Sequence, residues 1–375
     1  MFVRCALGCI SCAAALSFTL VAQAAQTLRG KSPIGPPAGT AASLNMFEGR
    51  LKPVPELAQR DELGNVPIPL HPTAYDELDG LTTRLRDGKE RTFSGIWKLP
   101  NLYFGYKDHY GYTTSDTSIE SFAKAMGRWR MARPQSPTPI VIEGILLGNL
   151  AEKALQKTTT ADVIGPEHFA LSTKRVADAR VFLLKHKEAG SQDPMWYATV
   201  VESSGSMCET LDHAWSMVDE GTTRFPSFHQ LYFEYLKTAS RCVDSLEDLA
   251  VHIKKIVDLG KSRAGEPGEA MYARSYWYIH SAILGEATFG FSGFDWQRMK
   301  KGIEDVLAQY QEPWNTNNFA KFACEAGDAA LSRELLPKAL EFPVLQVWQA
   351  PEAFSACWNW ANASSDRAKP QKASR

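Results

Sequence analysis

Three helical patterns follow one another in residues 268–340, GEAMYARSYWYIHSAILGEATFGFSGFDWQRMKKGIEDVLAQYQEPWNTNNFAKFACEAGDAALSRELLPKAL. The first places Tyr272 and Tyr276 on one stripe, the second is predicted to be capped by Asp295, and the third begins near Thr316. Apolar residues recur at intervals of three and four, which is typical of amphipathic helices joined by short breakers. The stretch therefore predicts helix packed against helix.

The same rhythm extends upstream of this stretch. Helical patterns cover about 196–206 and 210–221, between Pro194 and Pro226. The distance between these two prolines is close to the tetratricopeptide (TPR) period of about 34 residues, in which each repeat is a pair of antiparallel helices. No stretch alternates convincingly like a β-strand. The sequence predicts an all-α fold of TPR-like helical hairpin repeats, an α-solenoid, without significant sheet.

Composition divides the chain into four parts. An apolar N-terminus that ends in the A-x-A pattern before Ala25 predicts a signal peptide at 1–24. Residues 25–72 are rich in Pro and Gly and predict a flexible leader. A single TPR-like helical domain is predicted for 73–361, followed by a disordered basic tail at 362–375.

The signal predicts a secreted or periplasmic protein, with a lipoprotein anchor on Cys9 or Cys12 as the alternative. The 41 Lys and Arg residues nearly balance the 42 Asp and Glu residues, so charge gives no reason to expect nucleic acid as a partner. No later stretch provides about 18 consecutive apolar residues, so we expect no membrane span.

Four cysteines remain after the signal: Cys208, Cys242, Cys324 and Cys357. In an oxidising compartment they can form two disulfides, with three possible pairings. The alternative is four buried thiols that pack as small apolar side chains. Because no C-x-x-C spacing follows the signal, the sequence predicts no metal site and no cofactor.

Two aromatic segments contain candidate contact residues. Residues 92–114, TFSGIWKLPNLYFGYKDHYGYTT, lack helical periodicity and are predicted to be an ordered loop. Tyr103 lies in this segment, together with Asp108 and His109, a neighbouring acid and imidazole. If the chain has a catalytic centre, this pair is one place to look, although adjacent loop residues rarely hydrogen-bond each other productively.

The second segment is TFGFSGFDW at 288–296. Its rings, Phe289, Phe291 and Phe294, lie beside glycines, where they can stack on a sugar or hold an extended peptide. The alternative is that they fill a gap between helix pairs.

Arg274 and Asn315 are further candidates for ligand contact. Arg274 is predicted in the middle of a helix between two tyrosines, where it either faces a ligand or pairs with Asp295 or Asp328. Structural pairing is the simpler interpretation for this arginine.

Several segments together resemble an uncharacterised bacterial family of TPR-like all-helical proteins. The segments include SGIWKL at 94–99, MYAR at 271–274, PWN at 313–315 and FAKFAC at 319–324. The resemblance covers about 75–360, and it implies a helical repeat fold and no assigned activity. The chain departs from the family at 238–244, where TASRCVD replaces a turn similar to Pro-Arg-Trp-Gly-Gly.

The leading functional hypothesis is a helical scaffold that binds a protein or peptide partner, because stacked helix pairs leave a concave binding face. No catalytic residue is assigned, since no coherent catalytic motif is present; whether a small molecule also binds is left open. The alternative is an enzyme, for example a hydrolase, with a pocket between the aromatic segments 92–114 and 288–296.

Overall fold

The computed structural model describes residues 46–111, 115–156, 166–205 and 207–366. Across these ranges the regular structure is helical and contains no strand, which confirms the predicted all-α class. A single antiparallel bridge joins Arg91 to Trp97. The predicted signal peptide and most of the basic tail lie outside the described residues.

Seventeen α-helices are numbered here in chain order within the described ranges. They are α1 Pro55–Gly64, α2 Tyr75–Asp87, α3 Leu99–Gly111, α4 Asp116–Ala132, α5 Thr138–Gln156, α6 Pro166–Lys185, α7 Lys187–Gly190, α8 Pro194–Ser204, α9 Leu211–Arg224, α10 His229–Cys242, α11 Leu246–Arg263, α12 Ala270–Ile279, α13 Trp296–Gln309, α14 Pro313–Glu325, α15 Ala329–Glu341, α16 Leu345–Trp348 and α17 Pro351–Asp366. No helix of the described ranges has the length and apolar character needed to cross a membrane.

The chain divides into two compact units. The first contains Gln59–Thr92 and Ile96–Glu266, and so all of α2–α11 and the later part of α1. The second contains Phe93–Gly95, the residues from Pro267 onward, and the segment that ends at Ala58. Each unit has its own buried core of aromatic and aliphatic side chains.

Local chemistry explains where the helices of the opening stretch begin. Asp295 caps α13 as predicted, because its Oδ1 accepts hydrogen bonds from the backbone N–H groups of Gln297 and Arg298, at 2.8 and 3.2 Å. The third pattern begins earlier than expected, at Pro313 instead of Thr316. Proline fits the first helical turn, where its missing N–H costs no hydrogen bond.

The segment 92–114 differs from the predicted loop, because most of it forms α3. Leu99, Leu102, Tyr103 and Tyr106 are buried and follow helical spacing, although glycines and polar residues between them hide the pattern in the sequence. Gly105 allows a close approach: a Cβ atom there would lie 2.1 Å from the carbonyl oxygen of Gly64.

The predicted flexible leader at 25–72 also differs from the structure where it is described. Pro55–Gly64 form α1, and Phe47 and Glu56 are both buried. Phe47 packs against Phe354 with ring centroids 5.1 Å apart. Burial of these side chains gives this part of the leader a fixed position that its Pro and Gly content does not suggest.

All four downstream cysteines are paired, Cys208 with Cys242 and Cys324 with Cys357. The first bridge joins the turn before α9 to the last residue of α10, so it closes a helical hairpin of the first unit. The second joins α14 to α17 within the second unit.

Candidate functional site

A break in helix geometry builds the candidate site of the second unit. After α12 ends at Ile279, the chain continues as a π-helical turn, His280–Leu284, and then as a 3₁₀ segment, Gly285–Gly290. Gly285 makes this change of direction possible, since its φ of 56° and ψ of −142° lie in a region that only glycine adopts at low cost. π-helical turns are frequent at functional sites.

Four rings form what we call the aromatic surface: Phe289, Phe294, Trp296 and Phe322. Phe289 contacts Phe294 and Phe322 at centroid distances of 5.8 and 5.0 Å. Trp296 lies nearly parallel to Phe322, at 6.1 Å and 12°. Phe322 is buried and forms the floor, while the other three rings are half-buried. These distances are favourable for aromatic pairs, so the rings are held in place yet partly open to solvent.

An imidazole and a carboxylate border the aromatic surface. The His280 ring lies 5.4 Å from Phe289 and 4.8 Å from Phe322. Its Nδ1 is 2.9 Å from the carbonyl oxygen of Gly285, and because a carbonyl only accepts, Nδ1 carries a proton. Its Nε2 lies 2.8 Å from Oε2 of Glu325. The contacts at both ring nitrogens orient the imidazole.

A second polar group lies at the Trp296 end. The indole N–H of Trp296 donates to Oδ2 of Asp328 at 2.9 Å, and Lys300 Nζ lies 3.3 Å from the same oxygen. Burial of Asp328 favours its neutral form, but hydrogen bonds from the Leu331 N–H, Trp296 and Lys300 outweigh it and lower the pKa of this carboxyl group. Asp328 is therefore a fixed anion that orients the indole.

The predicted contact residues of segment 288–296 separate into two groups. Phe289 and Phe294 belong to the aromatic surface, whereas Phe291 is only 3% exposed and belongs to the core. A hydrogen bond to α12 fixes the loop, because the Tyr276 hydroxyl donates to the Gly293 carbonyl oxygen at 2.5 Å. Burial, the largest cause, raises the pKa of nearby Tyr272 to about 12.

Arg274 and Asn315 lie close together in the second unit, where both contact the backbone of Ser94 instead of facing a ligand. Both nitrogens Nη1 and Nη2 of Arg274 donate to the carbonyl oxygen of Ser94, at 3.2 and 3.3 Å, and Asn315 Nδ2 donates to the same oxygen at 3.2 Å. The Glu56 carboxylate accepts the N–H and the hydroxyl of Ser94. Because both side chains are over 90% buried, with 6% and 7% exposure, this clasp explains them as structural residues.

The predicted candidates of the first segment, Tyr103, Asp108 and His109, all lie on α3 in the first unit but do not form one site. Tyr103 is fully buried, its hydroxyl donates to Oδ2 of Asp193 at 2.9 Å, and burial raises its pKa well above the ordinary value. Asp108 and His109 are exposed neighbours on α3. Successive helical positions point about 100° apart, so the two do not face each other as an acid–imidazole pair.

The first unit contains a polar group that sequence reasoning missed, here called the lysine–glutamate cluster: Lys107, Glu202, Glu234 and Lys237. Oε1 of Glu202 accepts from Lys107 Nζ at 2.6 Å and from Lys237 Nζ at 2.7 Å. Oε2 of Glu234 lies 3.6 Å from Lys237 Nζ. Three helices contribute to the cluster, α3, α8 and α10, so no local spacing reveals it.

The pKa values of the two carboxyl groups in this cluster are shifted in opposite directions. Burial opposes ionisation of Glu202, but the two lysines outweigh it and lower its pKa below the ordinary range. Burial outweighs the attraction of Lys237 and raises the pKa of Glu234, and repulsion from Glu202 adds to the rise. Carboxyl groups with separated pKa values are suited to acid–base chemistry, although the Glu234 side chain is only 6% exposed.

Comparison with known proteins adds no relative. No family model, curated protein or solved structure matches the chain. Within the described residues, no group of three or more His, Cys, Asp or Glu side chains is arranged to hold a metal ion. The features of this protein that bear on its function are therefore the aromatic surface and the lysine–glutamate cluster.

Proposed function

We propose that the protein is a secreted or periplasmic helical scaffold that binds a peptide or protein partner through the aromatic surface. The observation that carries this proposal is the half-buried state of Phe289, Phe294 and Trp296 above the buried Phe322. Aromatic side chains are enriched at the cores of protein interfaces, and tryptophan is among the residues that most often dominate the binding energy. The three half-buried rings lose little conformational entropy on binding, because contacts within the protein already hold them.

The scaffold architecture is part of the same proposal. The consecutive helices α8, α9, α10 and α11 support a TPR-like arrangement. The Cys208–Cys242 bridge spans 34 residues, which is close to one TPR period.

Export from the cytoplasm is the third part of the proposal. Disulfides persist mainly in oxidising compartments, so two bridges support secretion, and the apolar N-terminus at 1–24 supplies the signal. N-terminal sequencing of the protein recovered from its native host tests this part. A mature chain that starts at Ala25 is expected, and a chain that retains Met1 would contradict export by cleavage.

An enzyme is the second proposal, because Glu202 and Glu234 both contact Lys237, at 2.7 and 3.6 Å, and their pKa values are shifted in opposite directions. The hydrolase pocket expected between segments 92–114 and 288–296 loses one premise, since most of the first segment is the helix α3 and Tyr103 is buried in the core. Hydrolysis of ester, glycoside and peptide model substrates by wild type but not by Glu234→Gln would favour this proposal over the scaffold.

Selection from a random 12-residue peptide library tests the binding role. Peptides enriched on the wild-type protein should bind at least tenfold more weakly to a Phe289→Ala/Phe294→Ala variant. The matched control is Phe169→Ala, which removes an exposed ring of 36% accessibility from α6 of the first unit. Equal affinity of the wild type and the double variant for the enriched peptides would contradict binding at the aromatic surface, and failure to enrich any peptide would contradict a peptide partner.

A further inference from the structure

The first unit contains an open cleft of about 590 Å³. Its lining includes Arg86, Asp87, Gln135, Gln192, Arg224 and Phe225. We propose that this cleft binds a carboxylate group, carried either by a small organic acid or by the C-terminus of a peptide, with the Arg224 guanidinium as its main contact. The proposal is independent of the aromatic surface, which belongs to the second unit.

Three neutral oxygens hold the Arg224 guanidinium. Its Nη1 donates to Ser191 Oγ at 3.0 Å and to the Tyr197 hydroxyl oxygen at 3.2 Å, and its Nη2 donates to Gln192 Oε1 at 3.1 Å. No carboxylate of the described residues forms an ion pair with Arg224, and the guanidinium lies 5.6 Å from the Phe225 ring centroid. Glu220, which accepts a hydrogen bond from the Tyr197 hydroxyl at 2.8 Å, attracts Arg224 at longer range, so the guanidinium is oriented without a carboxylate in direct contact.

The guanidinium of Arg224 has more hydrogen-bond donors than acceptors around it. A guanidinium has five N–H groups, and these contacts use three of them. The guanidinium group has an edge formed by Nε and Nη2. The Nε of Arg224 has no acceptor within the described part of the chain. Two N–H groups remain for a ligand.

Other arginines of this protein show what that edge binds. Arg133 uses Nε and Nη2 together on the Asp76 carboxylate, at 2.8 and 2.9 Å. Arg130 binds the Glu143 carboxylate in the same way, at 2.9 and 3.2 Å. Planar, two-point contact with a carboxylate is the arrangement for which the guanidinium edge is suited. A carboxylate at Nε of Arg224 would complete the same contact.

Arg86 and Asp87, which also line the cleft, limit the charge of the ligand. Arg86 is already balanced: its Nε donates to Asp87 Oδ1 at 3.0 Å, and its Nη1 lies 3.6 Å from Oδ2 of the buried Asp193. Because the Asp87 carboxylate also lines the cleft, a ligand with one negative charge is favoured over a ligand with two. The Gln135 amide forms no hydrogen bond within the described residues and can donate to the second carboxylate oxygen.

Calorimetric titration with three probes tests the site: benzoate, N-acetyl-Ala-Ala-Phe with a free carboxylate, and the same peptide as its C-terminal amide. The free acid should bind at least tenfold more tightly than the amide. Binding of benzoate as well would identify small organic acids as ligands, and binding of the peptide acid alone would identify a peptide C-terminus. Equal binding of acid and amide, or no binding of either acid, would overturn the proposal.

Substitutions then locate the binding to Arg224. Arg224→Gln and Arg224→Lys should each weaken binding of the acid at least tenfold, since lysine keeps the charge but loses the two-point contact. The control is Arg263→Gln, because Arg263 already pairs with Asp219 at 2.8 Å in the same unit. If Arg224 variants fail to fold, Gln135→Ala provides the test, with an expected loss of at least threefold; unchanged affinity would overturn the proposal.

Discussion

The indole ring of Trp129 lies parallel to the phenol ring of Tyr75, with centroids 4.9 Å apart and an interplanar angle of 6°. Both rings are essentially unexposed, and the indole N–H donates to Oδ2 of Asp79 at 3.3 Å. We expect Trp129→Ala to lower the free energy of unfolding by about 3–5 kcal/mol, because the truncation leaves a cavity and removes the stacked ring. Chemical denaturation measures this, and an unchanged midpoint would contradict it.

Trp296 provides the comparison for Trp129. The helical pattern of α13 places this residue with the inward side chains, but the structure leaves its ring half-buried. Trp296→Ala should therefore cost clearly less stability than Trp129→Ala, since less apolar surface returns to water. Equal losses for the two variants would mean that Trp296 is as buried as Trp129.

The lysine–glutamate cluster predicts unequal effects for its two carboxyl groups. Glu202→Gln should lower stability at pH 7 by about 3 kcal/mol, because it removes the carboxylate that Lys107 and Lys237 share. Glu234→Gln should cost less stability, since burial raises the pKa of Glu234 and disfavours its charged form, and Gln230 can still donate to the oxygen at position 234. Denaturation of both variants beside wild type measures the difference, and the opposite order of losses would refute this assignment.

The pH dependence of the Glu202 effect has a definite sign. Its folded-state pKa is lowered, so its contribution to stability is complete above the unfolded pKa of about 4.3 and is lost as pH falls through the folded value. Wild type and Glu202→Gln should therefore differ most at pH 6–7 and converge in strong acid. Thermal unfolding of both proteins at several pH values measures this difference in stability. A difference that stays constant with pH would exclude the ion pairs of Glu202 as its source.

Reduction should destabilise both units. Each bridge closes a loop of 34 or 33 residues, and the chain-entropy model assigns about 3–4 kcal/mol to loops of that length. A reductant should lower the melting temperature, and Cys208→Ala/Cys242→Ala should lose only part of what full reduction removes. A melting temperature that does not respond to reductant would show that these cysteines are unpaired in solution.

Periodicity predicts the helices of this protein well where apolar residues dominate one face. It fails for α3, where Gly105 and polar residues interrupt the stripe that carries Leu102 and Tyr106, although the spacing of the buried residues is helical. Gly105 looks like a helix breaker in the sequence. Its role depends on contact with Gly64, which no local pattern reveals.

The candidate site was accessible to sequence reasoning only in part. Phe289 and Phe294 are visible because aromatic residues between glycines are unusual. The contact between His280 and Glu325 is hidden in the sequence, since it joins the π-helical turn after α12 to α14 across a long stretch of chain. Arg224 is also hidden, because its significance lies in the neutral partners around it, and these come from folding.

The two bridges each lie within one unit, and their loops do not overlap along the chain. The oxidised polypeptide is therefore still linear between Cys242 and Cys324, with no covalent path around a cut in that interval. A protease nick there would yield two separate bands on a denaturing gel without reductant. A nick inside either loop would leave one band until the sulfurs are reduced, so the gel reports where the chain was cleaved.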